Sequence, residues 1–397
     1  MEPIKILDNL YWVGAVDYDI RDFHGYLTPR GSTYNAYLIV DEKITLIDSV
    51  RHGFESELLS RVSKIVDPKK IDQVVSNHAE MDHSGGLPEI MKYIGSEKPL
   101  YASAMGVKNL AGQFKGADIN YKTVGANLSL GKDELVFVET RMIHWPDSMF
   151  SFLPSKGVLF SQDGFGMHLA TPERFDDEVC EAIWGPYALN YFANILTPYT
   201  TQISNLIQKV AADGLIPKIK YILPDHGLIW RKDPGRILAL YSEWVKQAPK
   251  RKAVIVFDTM WHSTEYMARE LTDYLAQQGI ETRYFSLKNQ HRSEVVTECY
   301  EAAAILVGTP TINNQHFPSV ADFLCYVKSL KMKNKIGASF GSYGWSGEGP
   351  KLVQSELQSM GFELPSPEVR IQWVPEEKDL EPLKVLGKTI AEAIKKL

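Results

Sequence analysis

The sequence predicts an α/β protein of two domains, one over residues 1–248 and one over residues 252–397. Three observations predict this. The chain has 397 residues, whereas a single hydrophobic core stops growing at roughly 250–300. Its character changes at Gln247-Ala-Pro-Lys-Arg-Lys252, a short polar and basic stretch with one proline. Beyond that stretch, apolar runs alternate with amphipathic segments, the rhythm of a parallel sheet with helices on both faces.

In the first domain strand-like runs dominate the opening. Ile4–Val16 mixes apolar and polar residues, and Tyr34–Val40 and Ile44–Ile47 flank Asp41-Glu42-Lys43, a hairpin turn. Phe54–Val66 carries Leu58, Leu59, Val62, Ile65 and Val66 at helical spacing. Ile71–Val75 is a short strand, and Gly85-Gly86 leads into a helix over Leu87–Tyr93. Strands and short helices continue to about Asp225. In the second domain Ala253–Phe257 is continuously apolar, as a strand buried on both faces should be. A helix over Ser263–Gln278 follows, with Gly279 as its C-terminal stop. Then come strand Glu281–Ser286, helix Ser293–Ala303, strand Ala304–Val307, helix Phe317–Leu330 and strand Lys335–Ser339. Helix Gly349–Met360 and a terminal helix within Leu380–Leu397 complete the pattern.

Composition excludes several classes. With 44% apolar and 23% charged residues, the chain is neither disordered nor collagen-like. A net charge of −6 argues against a nucleic-acid partner, which calls for a basic face. No apolar run reaches the ~18 residues of a membrane span, and Met1-Glu2-Pro3-Ile4-Lys5 lacks the layout of a signal peptide. Cys180, Cys299 and Cys325 lie far apart with no Cys-x-x-Cys, so neither a disulfide framework nor an all-cysteine metal centre is expected. The expected compartment is the cytoplasm.

The densest cluster of possible ligands is Asn77-His78-Ala79-Glu80-Met81-Asp82-His83-Ser84-Gly85-Gly86, directly after an apolar strand. A rigid strand end can aim such residues into one cleft. His144 in Met142-Ile-His-Trp-Pro-Asp147, Asp163 in Phe160-Ser-Gln-Asp-Gly-Phe165 and His226 in Ile222-Leu-Pro-Asp-His-Gly227 lie at similar apolar-to-polar transitions. The order resembles the metallo-β-lactamase fold superfamily, whose motif is His-x-His-x-Asp-His with later His, Asp and His ligands. The resemblance covers roughly residues 1–245 and implies an αββα sandwich. The second motif position is Glu80 rather than histidine, and an added carboxylate suits iron better than zinc. The resemblance therefore implies a non-haem diiron site: His78, Glu80 and His144 on one iron, Asp82, His83 and His226 on the other, and Asp163 bridging. In part of the related family the histidine matching His83 turns away from the metal. His24, in Asp22-Phe-His-Gly25, and Tyr191, in Asn190-Tyr-Phe-Ala-Asn194, match positions lining the substrate pocket in related proteins and could donate protons. His168 is a supporting or structural residue.

After strand Ala253–Phe257 the chain reads Asp258-Thr-Met-Trp-His-Ser-Thr-Glu265. Hydroxyls at Thr259, Ser263 and Thr264 just before a helix make an anion pocket, together with Met260, Trp261 and His262 of the same loop. Neither the glycines of a dinucleotide fingerprint nor a P-loop lysine is present, so a single phosphate monoester fits better. Thr309, Pro310, Thr311 and Asn313 follow a second strand; Ser342, Tyr343, Gly344, Trp345, Ser346 and Gly347 follow a third. Ligands of open parallel sheets bind beyond such carboxyl ends. These loops resemble the phosphate loop and the two ring-flanking loops of flavodoxin, which implies a flavodoxin-like, doubly wound parallel sheet and FMN.

The two halves together have the layout of the flavodiiron proteins, also called A-type flavoproteins. His144-Trp-Pro-Asp-Ser-Met149, Asp258-Thr-Met-Trp261 and Gly341-Ser-Tyr-Gly-Trp-Ser-Gly347 are similar to that family's signatures, and most of all to its rubredoxin:oxygen oxidoreductase branch. The resemblance implies an oxidoreductase that reduces O2 to water, NO to N2O, or both at two irons, with FMN passing on electrons. No rubredoxin-like domain is visible, so the expected donor is a separate rubredoxin. The expected assembly is a head-to-tail homodimer or a dimer of dimers. Two rival readings are a zinc hydrolase of the metallo-β-lactamase fold and a non-catalytic diiron sensor of O2 or NO. Glu80 and the flavin domain argue against the first, and a dedicated electron supply against the second.

Overall fold

Strand-rich opening and alternating close are both visible in the computed structural model, which describes residues 1–397. The chain forms two compact units. One comprises Met1–Phe23, Thr28–Tyr191 and Tyr199–Ser242; the other comprises Glu243–Leu397 with two short excursions, His24–Leu27 and Phe192–Pro198, from earlier in the chain.

The first unit contains two stacked sheets. The larger takes β1 (Ile4–Leu7), β2 (Leu10–Trp12), β3 (Tyr37–Val40), β4 (Ile44–Ile47), β5 (Gln73–Val75), β6 (Pro99–Ala102) and β7 (Asn120–Thr123), side by side in chain order. The smaller takes β8 (Asn127–Ser129), β9 (Glu134–Glu139), β10 (Met149–Leu153), β11 (Val158–Gln162) and β12 (Tyr221–Pro224), again in chain order. Trp12, Tyr37, Ile39 and Val75 from one sheet meet Leu135, Met149, Phe160 and Leu223 from the other in a shared apolar core. Period-2 alternation puts the remaining strand residues outward. Helices Glu55–Val62, Leu87–Ile94 and Ala104–Gln113 belong to the larger sheet's side, and Thr200–Ala212 lies on the smaller sheet's side, where Leu206, Ile207 and Val210 line an apolar cavity together with Val136, Phe150 and Phe152. This is an αββα sandwich. The expected hairpin is present, with Tyr37 opposite Ile47 and Val40 opposite Ile44.

Two expectations change here. The strand expected over 34–40 is split, because the Asn35 N–H donates to the Asp225 carbonyl at 2.7 Å. Ser32–Tyr34 instead pairs with Ala15–Asp17, and only Tyr37–Val40 joins the large sheet. The helix expected over 54–66 is shorter, Glu55–Val62.

The second unit is a five-stranded sheet of β13 (Lys250–Phe257), β14 (Glu281–Ser286), β15 (Ala302–Gly308), β16 (Ile336–Tyr343) and β17 (Val369–Gln372). Every neighbouring pair is parallel, and the spatial order is β14-β13-β15-β16-β17, the flavodoxin order. The apolar run in β13 serves two cores at once. Ala253, Ile255 and Phe257 pack on one face with Met267, Leu271 and Ile390, while Val254 and Val256 pack on the other with Val295, Phe323 and Val353. Helix Ser263–Gln277 stops at Gly279 (φ +74), where the Ile280 and Gly279 N–H groups return to the Leu275 and Ala276 carbonyls. The helix expected over 293–303 ends at Glu301, because Ala302 and Ala303 belong to a wholly buried central strand. Packing there overrides the helical preference of alanine. Strand β17 was not expected from the pattern.

Truncating Leu306, at the centre of this sheet, is expected to cost about 2–5 kcal/mol. Urea unfolding of Leu306→Ala should show the corresponding fall in midpoint, and an unchanged midpoint would contradict the packing described.

Candidate functional site

The first site grows from strand ends at one edge of the αββα sandwich. At the end of β4, Asp48 adopts a left-handed conformation (φ +53) and turns its carboxylate onto the next strand's exit. It accepts the Asn77 backbone N–H and side-chain amide, each at 2.6 Å. The Asn77 carbonyl accepts the Met149 N–H, and its side-chain oxygen accepts the Ser151 hydroxyl. Both sheets therefore grip the residue preceding His78. One helical turn, Met81–Ser84, then presents Asp82 and His83. It closes under Gly85, where a Cβ would lie 2.3 Å from the Met81 carbonyl oxygen.

The other ligand candidates arrive in the same way. Gln162 ends β11 with φ +45, accepts the Asp163 N–H at 2.7 Å and donates to the Ile143 carbonyl at 2.6 Å. One side chain thus ties the loop of Asp163 to the loop of His144. His226 follows β12, and its Nδ1 donates to the Thr33 carbonyl at 2.5 Å. Gly227 (φ +76) leaves no room for a Cβ against Met167.

These loops bring together all seven proposed ligands in two groups: His78, Glu80, His144 and Asp163; and Asp82, His83 and His226. Asp163 stands between them. Its Oδ2 lies 2.8 Å from His144 Nε2 and 3.4 Å from His78 Nε2. Its Oδ1 lies 3.0 Å from His83 Nε2 and 3.5 Å from His226 Nε2. Glu80 Oε2 is 3.2 Å from both His78 Nε2 and His144 Nε2, while Asp82 Oδ2 is 2.9 Å from His226 Nε2. His83 turns its Nε2 toward the pocket.

The chemistry of the donor set fits metal ions. All seven side chains are buried or nearly so. Both carboxylate oxygens of Asp82, both ring nitrogens of His83 and Oδ1 of Asp163 lack a well-formed hydrogen bond. Buried polar atoms are seldom left so. The charges of these groups bear strongly on one another. Burial favours neutral Asp163, yet the surrounding His83, His144 and His78 rings hold its carboxyl well below the usual range. Burial opposes a charge on His78, but bonds to Asp147 and Glu80 push its pKa up to about 10. Burial pushes Asp225 well above the carboxylate range, with Asp48 adding to the effect, and raises Asp48 to about 6. Carboxylates and imidazoles this crowded call for a cation.

Tyr191 is buried, with its ring centroid 5.0 Å from His168 and 6.1 Å from His226. His168 Nδ1 pairs with the Ser32 hydroxyl at 2.6 Å, and burial beside His226 pushes this imidazole well below its usual pKa. His24 is not among these rings. It is exposed, with φ +52, in the turn between Asp22–Phe23 and Tyr26–Leu27, and its segment packs with the second unit.

The second site is a cleft of about 710 Å³ beyond the carboxyl ends of β13, β15 and β16. Ligand pockets run from roughly 300 to 1,000 Å³. Of the expected residues, Met260, Trp261, Ser263, Pro310, Thr311, Asn313, Ser342, Tyr343, Gly344, Trp345 and Ser346 line it. The other five stand behind or beside the lining. The Thr264 hydroxyl is buried and bonded to Ser342 Oγ at 2.9 Å. Thr309 Oγ1 donates to the Pro310 carbonyl and accepts the Phe317 N–H, which shapes its loop. Thr259 is buried, and His262 pairs outward with Glu265 at 2.7 Å. Gly347 gives way to the Tyr343 ring, 3.2 Å from where a Cβ would sit. The 15-residue helix Ser263–Gln277 has no side-chain cap, so its first N–H groups are available to an anion.

Several functional positions escaped sequence reasoning. Ile312, Asn314, Trp373 and Val374 also line the cleft. Trp373 follows the unexpected strand β17, which is why it was missed; an exposed Trp-Val pair was its only signal. Asp48, Asp147 and Asp225, which support the candidate ligand histidines and their loops, carry no sequence signal that separates them. Asp147 and Asp225 sit inside the quoted motifs, but spacing does not separate a metal-bound carboxylate from one that orients a ligand.

Comparison with known proteins places this geometry. Residues 33–227 match the model of the ODP family beta lactamase, and residues 255–384 match flavodoxin. A nitric oxide reductase from Moorella thermoacetica is 44% identical over 99% of both chains. The solved structure of rubredoxin oxygen:oxidoreductase from Desulfovibrio gigas superposes with a TM-score of 0.96 at 41% identity, covering 100% of this chain and 99% of that one. The flavodiiron protein from Giardia intestinalis superposes with a TM-score of 0.92 at 33% identity, covering 100% and 98%.

Removing the carboxylate between the two groups should unbalance both. Asp163→Ala is expected to lose at least one metal ion per chain, read by elemental analysis, and full iron would refute the bridging role. Thr264→Val, which takes away the hydroxyl partner of Ser342, is expected to weaken flavin binding about tenfold through the loss of ~1.4 kcal/mol. Fluorescence titration reads this, and iron content should stay unchanged.

Proposed function

Because the chain belongs to the flavodiiron proteins, shown by its full-length relations at 33–44% identity, we propose that it reduces O2 to water, NO to N2O, or both. Electrons pass from rubredoxin through FMN. The observation that carries this reading is Asp163, a buried carboxylate with one oxygen turned to each ligand group. Such a side chain is suited to join two metals at a short separation.

On this reading His78, Glu80 and His144 would hold one iron, Asp82, His83 and His226 would hold the other, and Asp163 would stand between them. Iron held there would supply electrons and open coordination positions for a diatomic reactant. The protein's own residues do the rest. Glu80, Asp82 and Asp163 would balance the charge that buried metals bring into the sandwich. The short loops hold the ligands rigid, so little rearrangement accompanies a change of charge. We assign proton supply to Tyr191, whose buried ring lies against His168. The exposed His24 is the weaker donor candidate.

Bound in the cleft, FMN would supply the conversion of single electrons into paired delivery. Its phosphate fits the open N-terminus of helix Ser263–Gln277 beside Ser263, and its ring fits among Tyr343, Trp345 and Trp373. Trp261 and Trp345 are 86% and 87% exposed, and Val374 is 70% exposed. Exposed apolar groups gathered around one cleft suit a docking face. This supports a head-to-tail homodimer in which each FMN serves the partner's irons, with rubredoxin as the outside donor. No helix is long and apolar enough to cross a membrane, and we place the protein in the cytoplasm.

Anaerobic turnover with reduced rubredoxin, compared between O2 and NO, tests the activity; no turnover of either gas would overturn it. Stripping FMN should abolish that steady state while sparing a single turnover by chemically reduced iron. Mixing a flavin-free variant with Asp163→Ala should restore part of the activity through heterodimers. Verified heterodimers that remain inactive would sink the path between subunits.

A further inference from the structure

We propose that Asp147 is a positioning residue for the His78/Glu80/His144 group, holding His78 so that its Nε2 faces the metal. The proposal rests on the diiron reading of that group. Asp147 is 1% exposed, and every polar atom of its side chain is engaged. Its Oδ2 lies 3.1 Å from His78 Nδ1 and accepts the Ala79 N–H at 2.7 Å. Its Oδ1 accepts the Asn109 side-chain amide at 2.9 Å. Its carbonyl accepts the Ser103 hydroxyl at 2.7 Å, and Ser103 caps helix Ala104–Gln113 by accepting the Gly106 N–H. One residue therefore registers a helix, the ligand loop and its own turn against each other.

The chemistry follows from the two faces of the imidazole. With its Nδ1–H committed to a carboxylate, His78 keeps its lone pair on Nε2, the atom that faces Glu80 and Asp163 at 3.2 and 3.4 Å. The anion also raises the basicity of the ring and hence its strength as a ligand. The neighbouring histidines are held differently. His226 donates to a neutral backbone carbonyl, and His83 Nδ1 stands 3.5 Å from Asp225, beyond a good hydrogen bond. His78 thus has the charged partner in close contact.

The position of Asp147 in the chain adds a second point. It lies three residues after His144, in a turn closed by Thr140 N–H to the Ser148 carbonyl and Met142 N–H to the Trp145 carbonyl. Trp145, between them, stands edge-on to the His78 ring at 5.2 Å and 89°. A single turn delivers one histidine ligand and fixes the other histidine of the same group. Displacing Asp147 therefore disturbs one metal position and spares the Asp82/His83/His226 group.

The test uses the full-length holoprotein. Asp147→Asn keeps the shape but removes the charge, Asp147→Glu restores the charge on a longer arm, and Asn109→Ala loosens the carboxylate without touching it. Iron(II) affinity is read by chelator competition, the two irons separately by Mössbauer spectroscopy, and folding by FMN content and thermal unfolding. Asp147→Asn is expected to lower the affinity for one iron 10–100-fold, shift one of the two Mössbauer signals, and leave FMN bound. Asp147→Glu should recover part of the affinity, and Asn109→Ala should fall between wild type and Asp147→Asn. A folded Asp147→Asn with the wild-type chelator curve and both signals unchanged overturns the proposal. Should that variant not fold, the Asn109→Ala curve decides, and a wild-type curve there overturns it equally. Wild-type protein that binds no iron would instead overturn the diiron reading itself.

Discussion

One buried carboxylate facing four imidazoles sets the terms for the whole N-terminal unit. Asp163 has His78 and His144 on one oxygen and His83 and His226 on the other, at 2.8–3.5 Å. Coulomb interactions at such distances inside a protein are strong, and desolvation makes any imbalance costly. The surrounding structure must therefore hold these side chains against both repulsion and collapse. It does so by giving each ligand loop a tie to another strand end. Asp48 grips Asn77, Gln162 joins the loops of Asp163 and His144, and Thr33 receives both His226 and Gly227. The strained backbone at Asp48, Gln162 and Met142 (φ +53, +45 and +64) lies next to these ties. Such conformations persist where neighbouring contacts determine them.

The candidate ligand residues were legible as a cluster because four of them are local. A strand end followed by four ligand-competent side chains in six positions is a pattern that sequence alone displays, and the three later candidates lie in loops that follow other strands. The supporting carboxylates were not legible for a physical reason. Asp48 meets Asn77 only because β4 and β5 are neighbours in the sheet. Asp147 and Asp225 stand within the motifs, but their roles depend on which way a side chain turns. The same limit applies in the flavin cleft. Thr264 and Thr309 look like direct ligands by type, whereas the fold spends their hydroxyls on Ser342 and on the loop backbone.

The fold was legible wherever burial is two-sided. Strand β13 reads as continuous apolar sequence because both of its faces are covered, and the helices around it carry clear amphipathic stripes. The omission of β17 has the opposite origin. It is a four-residue edge strand, Val369-Arg-Ile-Gln372, with alternate residues exposed, and it follows a proline-rich turn. Edge strands show weak signals of this kind, since half their side chains face water. The early end of the helix at Glu301 arises from alanines that fit either structure, and the central position of β15 decides between them.

The two sites differ most in their relation to solvent, and that difference matches the division of labour. The proposed metal ligands are buried, with His144 the most open at 11% side-chain exposure. The proposed flavin cleft is rimmed by tryptophans at 60–87% exposure. Electrons can tunnel through protein, so a cofactor that trades them with partner proteins gains from an exposed edge and a soft apolar rim. Partly reduced oxygen or nitrogen species must instead stay where they form until proton and electron delivery is complete. A buried site held by short loops excludes water and limits escape. Placing the exchange step on one domain and the bond-breaking step on another lets each surface be shaped for its own task. The alternating sheet supplies loops that open outward around a ring, and the stacked sheets supply strand ends that converge inward on a charge.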